Sequence, residues 1–304
     1  MTTSTTFGLG KIILLGEHSV VYGYPALAAA LDRGVRIDAV PTPAGGALRI
    51  ELPAWNLKVD AEDDHSLAHG LAAIADSIGI GRPALTLVGD AQIPAGAGLG
   101  ASAAFAVAVA RALLGHAKRV ADANAVAIAA SASEAVLHGK PSGVDVALAI
   151  AGGIGVFRKQ AGLTPFKCTP LRVLVGPSGS PRATAAMVER VAAATGGSRD
   201  DRRLHELGAI CDTGTGALIG GDLTALGLMM DRAHTLLGEL GVSTPLLDGL
   251  CKAARDAGAY GAKLTGAGGG GAVIAIAPRD READVLAAWK KASVTGFVAT
   301  VGGR

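Results

Sequence analysis

Apolar positions along the chain alternate between two periods. Thr5 to Leu15 is strand-like, ending in Ile12-Ile13-Leu14-Leu15, and breaks at Gly16-Glu17-His18. A turn at Tyr22-Gly23-Tyr24-Pro25 leads into Ala26 to Leu31, whose alanines predict a short helix. Val35 to Val40 and Leu48 to Leu52 alternate as hairpin strands around a Pro41 to Gly46 turn. The period then lengthens: from Asp63 to Ile78, Leu67, Leu71, Ile74 and Ile78 share one helical face. Leu85 to Val88 is a strand that feeds the glycine-rich stretch Ile93 to Ala104. Two alanine-rich helices follow, Ala103 to Leu114 and Ala123 to Leu137, the second stopped by His138-Gly139 and Pro141. Val144 to Ile150 is a short helix and Gly153 to Arg158 a strand.

Past Pro170 the texture changes. A strand at Leu171 to Val175 precedes helices at Arg182–Thr195, Arg202–Ile219, Leu223–Leu240 and Pro245–Ala257. A second glycine loop, Lys263 to Gly271, runs into a strand from Ala272 to Ala277. A helix (Arg281 to Ala292) and a strand (Gly296 to Val301) close the pattern. The expectation is an α+β protein of two domains, 1–170 and 171–304.

Composition narrows the function classes. Half the residues are hydrophobic but only 3% are aromatic, so the core must be built from Ala, Val, Leu and Ile. Gly, at 44 of 304 residues, is about twice its usual share and clusters in the two loops. The 28 basic and 26 acidic residues are interspersed, which gives no electrostatic footprint for nucleic acid. Cys168, Cys211 and Cys251 are far apart and form no CxxC, which fits a reducing compartment without disulfides or structural zinc. Met1 to Gly10 lacks the basic and apolar regions of a signal peptide. The uncharged run between Asp90 and Arg111 is interrupted by Gln92, Pro94 and the glycines, a poor membrane span. A soluble, cytoplasmic protein is expected.

Candidate chemistry gathers at a few points. Gly96, Gly98 and Gly100 alternate immediately before a helix. Small residues there let backbone N–H groups approach an anion at the positive end of the helix dipole. No Lys-Ser/Thr follows, so this is not a Walker loop, and a flexible turn opening a buried helix is the competing reading. Lys11 stands on a strand that ends in the acid–imidazole pair Glu17-His18. Glu134 is a lone carboxylate on an almost wholly apolar helix, suited either to a cation or to a solvated stripe with Asp122, Ser131 and Ser133. With the Ser102 hydroxyl it forms a donor pair of the kind magnesium uses beside substrate phosphates. Asp145, three residues after Ser142, has the spacing of a capping box and equally the chemistry of a general base.

Three segments in order, GKIILLGEHSVVYGYPALA, IPAGAGLGASAA and KLTGAGGGG, resemble the three motifs of the GHMP small-molecule kinase superfamily. SVVYGYPALA after GEH, together with SEAVLHGKPSGVD, is similar to its mevalonate-phosphorylating branch; galactokinases continue GEH with Thr-Asp-Tyr instead. The resemblance implies a two-domain GHMP kinase fold with its active site in the interdomain cleft. It also implies ATP-dependent phosphorylation of the C5 hydroxyl of (R)-mevalonate to 5-phosphomevalonate, with Mg²⁺, by a homodimer. Lys11 and Asp145 then match the catalytic pair, Asp145 as base. Glu17 and His18 match the substrate pocket, and Pro94, Gly96, Ala97, Gly98, Leu99, Gly100, Ala101 and Ser102 the nucleotide-phosphate loop. Ser102 and Glu134 match the magnesium ligands. Arg182 and Thr184 resemble a substrate-side Arg-x-Thr element, and Gly268 belongs to the third motif, Gly266 to Gly270. One departure is Ala101, where many relatives carry a second serine. The resemblance puts the adenine pocket near Leu52 to Lys58 and assigns no role to Trp55 or Asn56.

Overall fold

The computed structural model describes residues 6–43, 46–139, 142–180 and 184–302. They form two compact units, each drawing on several separate segments, so no single cut in the chain divides them. Among them no helix is long and apolar enough to cross a membrane.

The first unit comprises the chain up to Lys11, Asp32–Ala95 and Gly100–Gly152. It contains the start of β1 (Thr6–Leu15), the second half of β2 (Ala26–Pro41), β3 (Leu48–Leu52), β4 (Leu57–Asp60), α1 (Ser66–Ile78), β5 (Leu85–Ala91), α2 (Ala101–His116), α3 (Ala123–His138) and α4 (Val144–Ala151). The sheet order is β4-β3-β5-β2, with β5 parallel to β3 and antiparallel to β2. The hairpin expected between 35–40 and 48–52 is therefore not formed. β5 lies between those strands, and β3 makes its hairpin with β4, a strand too short to register as a pattern. α2 is the core of the unit: Ala103 to Ala110 are all fully buried, and α1, α3 and α4 pack on it. A stretch apolar on every face and built mostly of small side chains suits that place.

The second unit comprises Ile12–Leu31, Gly96–Leu99 and the chain from Gly153. It holds β6 (Ile154–Arg158), β7 (Gly162–Phe166), β8 (Leu171–Pro177), α5 (Thr184–Thr195), α6 (Arg202–Gly220), α7 (Leu223–Glu239), α8 (Pro245–Asp256), β9 (Gly261–Thr265), β10 (Ala272–Ile276), α9 (Glu282–Lys291) and β11 (Phe297–Val301). Residues 26–31, expected to be helical, are the first half of β2. Ala26 to Ala29 pair antiparallel with Phe157 to Ile154, and this pairing overrides the helix preference of alanine. β11, β8, β10 and β9 continue an antiparallel sheet whose last two strands are buried at every position. α7 and α8 pack on β9, and α9 packs on β8 and α8. Trp289 of α9 is fully buried, with its indole N–H donating to the Leu250 carbonyl at 2.9 Å. Cys211 on α6 and Cys251 on α8 are buried free thiols, and burial pushes both up to about 12. Cys168 is partly exposed.

Candidate active site

In the first unit, β1 brings Lys11 into the core and the first turn of α4 brings Asp145 to it. Lys11 Nζ lies 3.3 Å from Asp145 Oδ2. The capping-box reading of Asp145 fails on geometry. The N-cap of α4 is Gly143, in the left-handed region at φ 81°, and Ser142 Oγ accepts a bond from Val144 N at 3.4 Å. Asp145 is thus one position too early for a box, and its carboxylate faces the lysine. A negative charge in a helix's first turn is also favoured by the helix dipole.

Gly96, Gly98 and Gly100 all have positive φ, at 71°, 81° and 71°. Left-handed residues at alternate positions aim successive backbone N–H groups to one side, the conformation of an anion nest. Gly100 is also the N-cap of α2 and lies directly on the lysine. A Cβ there would stand 2.7 Å from Lys11 Cγ, so only glycine lets the loop's exit touch that side chain. Pro94, Ala97, Leu99 and Ala101 occupy the same loop and the helix start, with Ala97 and Leu99 buried. Upstream, Trp55 Nε1 donates to the carbonyl of Ile93 at 2.9 Å, tying the 52–58 segment to the root of the loop. Asn56 turns the chain at φ 51°.

Ser102 and Glu134 meet through His138, which the motifs do not mark. Ser102 Oγ and His138 Nε2 are hydrogen-bonded at 3.1 Å, and the same nitrogen is 4.0 Å from Glu134 Oε2. Glu134 and Ser133 face the buried side of α3, which removes the solvated-stripe reading. His138 is one helical turn from Glu134, so i,i+4 spacing was a usable signal for it.

The second unit contains a separate constellation. Gly16 turns the chain out of β1, and Glu17 and His18 follow, both buried. Glu17 is placed otherwise than the resemblance implies. Its carboxylate points inward and accepts a hydrogen bond from Lys263 Nζ, which also donates to the Leu264 carbonyl at 2.6 Å. Burial pushes Glu17 up from the usual carboxylate range and Lys263 down from the usual amine range, and each pulls the other back. His18 Nε2–H donates to the Ala267 carbonyl at 2.8 Å, and burial lowers its pKa. Gly266, Gly268, Gly269, Gly270 and Gly271 all have positive φ, and a Cβ on Gly268 would lie 2.2 Å from the Val242 carbonyl oxygen. Thr184 is exposed at the start of α5; Arg182 lies outside the described residues.

Two family descriptions match the chain: "GHMP kinases N terminal domain" over residues 66–153 and "GHMP kinases C terminal" over 215–294. The mevalonate kinase of Pyrococcus horikoshii is 33% identical over 90% of this chain and 88% of its own length. That of Aeropyrum pernix is 33% identical over 88% and 86%. The chain belongs to the GHMP kinases, in their mevalonate kinase family. Among solved structures, mevalonate kinase of L. major in complex with R-mevalonate superposes with a TM-score of 0.86 at 28% identity, covering 99% of this chain and 96% of that one. The Methanococcus jannaschii mevalonate kinase gives 0.85 at 25%, with 99% of each chain covered.

A mevalonate kinase takes a nucleotide, and the donors here suit a magnesium ion that arrives with one. Ser102 Oγ and Glu134 Oε2 are hard oxygen donors set against a common atom. Magnesium combines one or two such side chains with phosphate oxygens and water. Among the described residues no three His, Cys, Asp or Glu side chains group to hold a metal by themselves. A site of two oxygens fits an ion brought in on phosphate, not a resident one.

Proposed function

We propose that this mevalonate kinase family member transfers the γ-phosphoryl group of ATP to the C5 hydroxyl of (R)-mevalonate, giving 5-phosphomevalonate for isoprenoid synthesis. The observation that carries the reading is the Lys11–Asp145 pair at 3.3 Å, with the exit of a glycine loop resting on the same lysine. Phosphoryl transfer asks a protein mainly for positioning and electrostatic stabilisation. Asp145 takes the proton of the attacking hydroxyl. Lys11 offers a fixed positive charge to the transferring group. The backbone N–H groups of Gly96 to Gly100 and the N-terminus of α2 receive the nucleotide phosphates. Ser102 and Glu134 hold Mg²⁺, whose chemistry there is to neutralise charge developing on phosphate oxygens. His18 and Thr184 serve the mevalonate side, and the family resemblance adds Arg182 to them. We place the division between the two family domains near residue 170 and expect a homodimer, which size-exclusion chromatography with light scattering checks.

Purified protein with ATP and Mg²⁺, offered mevalonate, galactose, homoserine and phosphomevalonate in turn, is expected to turn over mevalonate alone, with 5-phosphomevalonate identified by ³¹P NMR. Nucleotide binding without turnover of any of the four would replace the kinase reading with a ligand sensor on the same scaffold.

A further inference from the structure

Lys263 has no part in the reaction just described, yet it is a fully buried cation on a strand buried at all five positions. Both members of its pair with Glu17 are shifted by burial toward their neutral forms, a sign of what taking two charges out of water costs. Buried ion pairs are on average no more stabilising than apolar side chains of the same volume. Stability alone therefore does not account for the pair.

What the pair holds accounts for it better. His18, next to Glu17, has φ 61° and ψ −48° and is one of four non-glycine residues at positive φ among those described. Such a backbone persists only where its surroundings over-determine it. The constraints here come from two sides. On one, Lys263 grips the Glu17 side chain while Ser19 N donates to the Glu17 carbonyl at 2.7 Å. On the other, the His18 imidazole is bonded to the Ala267 carbonyl. Residues 17–18 and 263–267 are thus two short covalent segments stapled to each other at both ends. The far end of the second is itself fixed, since Gly268 has no space for a Cβ and Gly269 N donates to the Val242 carbonyl at 2.8 Å. Neither the GEH turn nor the third glycine loop can shift without breaking one of the staples.

We infer that Lys263 is a positioning residue: through Glu17 it fixes His18 and the 266–271 loop in the single arrangement that mevalonate binding uses. Glu17 belongs to the same device, beneath the substrate surface. The inference rests on the reading of the site given above.

The test is the charge-free pair Glu17→Gln/Lys263→Met in the full chain, compared with wild type. It is to be followed by thermal melting, ATP binding, mevalonate kinetics, and the imidazole N–H resonance of His18, assigned by its loss in His18→Gln. Near-native melting and ATP affinity are expected. The His18 N–H should lose its protection from exchange, and kcat/KM for mevalonate should fall by about tenfold or more. Wild-type kinetics in the double variant, or a His18 resonance that stays protected, would overturn the inference. If the double variant does not fold, wild type still decides: a His18 N–H that exchanges as fast as an exposed imidazole removes the staple. That measurement needs no substrate, so the inference and the proposed mevalonate activity can fail separately.

Discussion

Two of the lysine–carboxylate pairs among the described residues have lysines that are both buried, and they differ in their acids. Lys11–Asp145 is half open: the lysine side chain is 6% exposed, but the aspartate is 28% exposed and can meet a substrate hydroxyl. Lys263–Glu17 is sealed, at 0% and 1%. The open pair keeps a carboxylate oxygen within reach of a proton to be moved. The sealed pair can exchange nothing with a substrate, and its whole effect lies in what it holds still. On the function proposed above, burial more than residue type separates the catalytic pair from the positioning one.

The sharpest way to break that contrast is Asp145→Asn. It keeps the size of the side chain and removes the proton acceptor, so kcat should fall by roughly two to four orders of magnitude while melting temperature and ATP affinity hold. Retention of more than about a tenth of wild-type kcat would demote the open pair to a structural contact. Next is Lys263→Met alone, which strands a buried carboxylate. A loss of about 3–5 kcal/mol is expected in chemical denaturation, against less than about 1 kcal/mol for Lys11→Met, where water reaches Asp145. Equal losses would erase the distinction.

Acidification sharpens it further. Burial lowers the pKa of His18 and of His234, which sits beside Asp248 at 3.1 Å in the same unit as the sealed pair. Both are neutral in the native state where the unfolded chain would be protonated. The unfolded state then binds more protons, and stability falls as the pH drops below the ordinary histidine value of about 6.5. Each contributes a slope of at most about 1.4 kcal/mol per pH unit. Melting temperatures between pH 7.5 and 5 should show a shallower acid limb in His234→Gln; an unchanged limb removes His234 from the account. The smallest effect belongs to a carboxylate that only caps. Asp122 accepts from Ala125 N at 2.8 Å at the start of α3, so Asp122→Ala should cost about 1 kcal/mol with kinetics unchanged. A large kinetic defect there would mean that α3 reports to the site through its N-terminus.

Much of this was legible because it is local. Alternating glycines before an apolar helix announce a loop whatever surrounds them; α2 announces itself by its alanine content, and α1 and α6 to α9 by period. Residues 26–31 misled because all six, Ala26 to Leu31, are good helix formers in isolation, and only their partner at 154–157 makes them strand. The 35–40 and 48–52 strands misled for the same reason: the strand that separates them comes later in the chain. Spacing left Asp145 open between cap and base, and its contact with Lys11 Nζ was hidden because the two residues are remote in sequence. Lys263 shows no role in the sequence, because a lysine in a strand carries no local mark of being buried. Ser102 and Glu134 were legible from pattern as a candidate magnesium donor pair, whereas the role given to His18 came from resemblance alone.

The three cysteines give the protein a clock that needs no engineering. The thiols of Cys211 and Cys251 are shielded and held near 12, while Cys168 is within reach of solvent. A thiol-alkylating reagent should modify Cys168 first, though burial raises that thiol as well, and the other two only when α6 or α8 comes away from its neighbours. Mass-resolved labelling over time would therefore count the opening events of the unit that carries the sealed pair. Bound mevalonate should lengthen the interval between them by as much as it stabilises that unit.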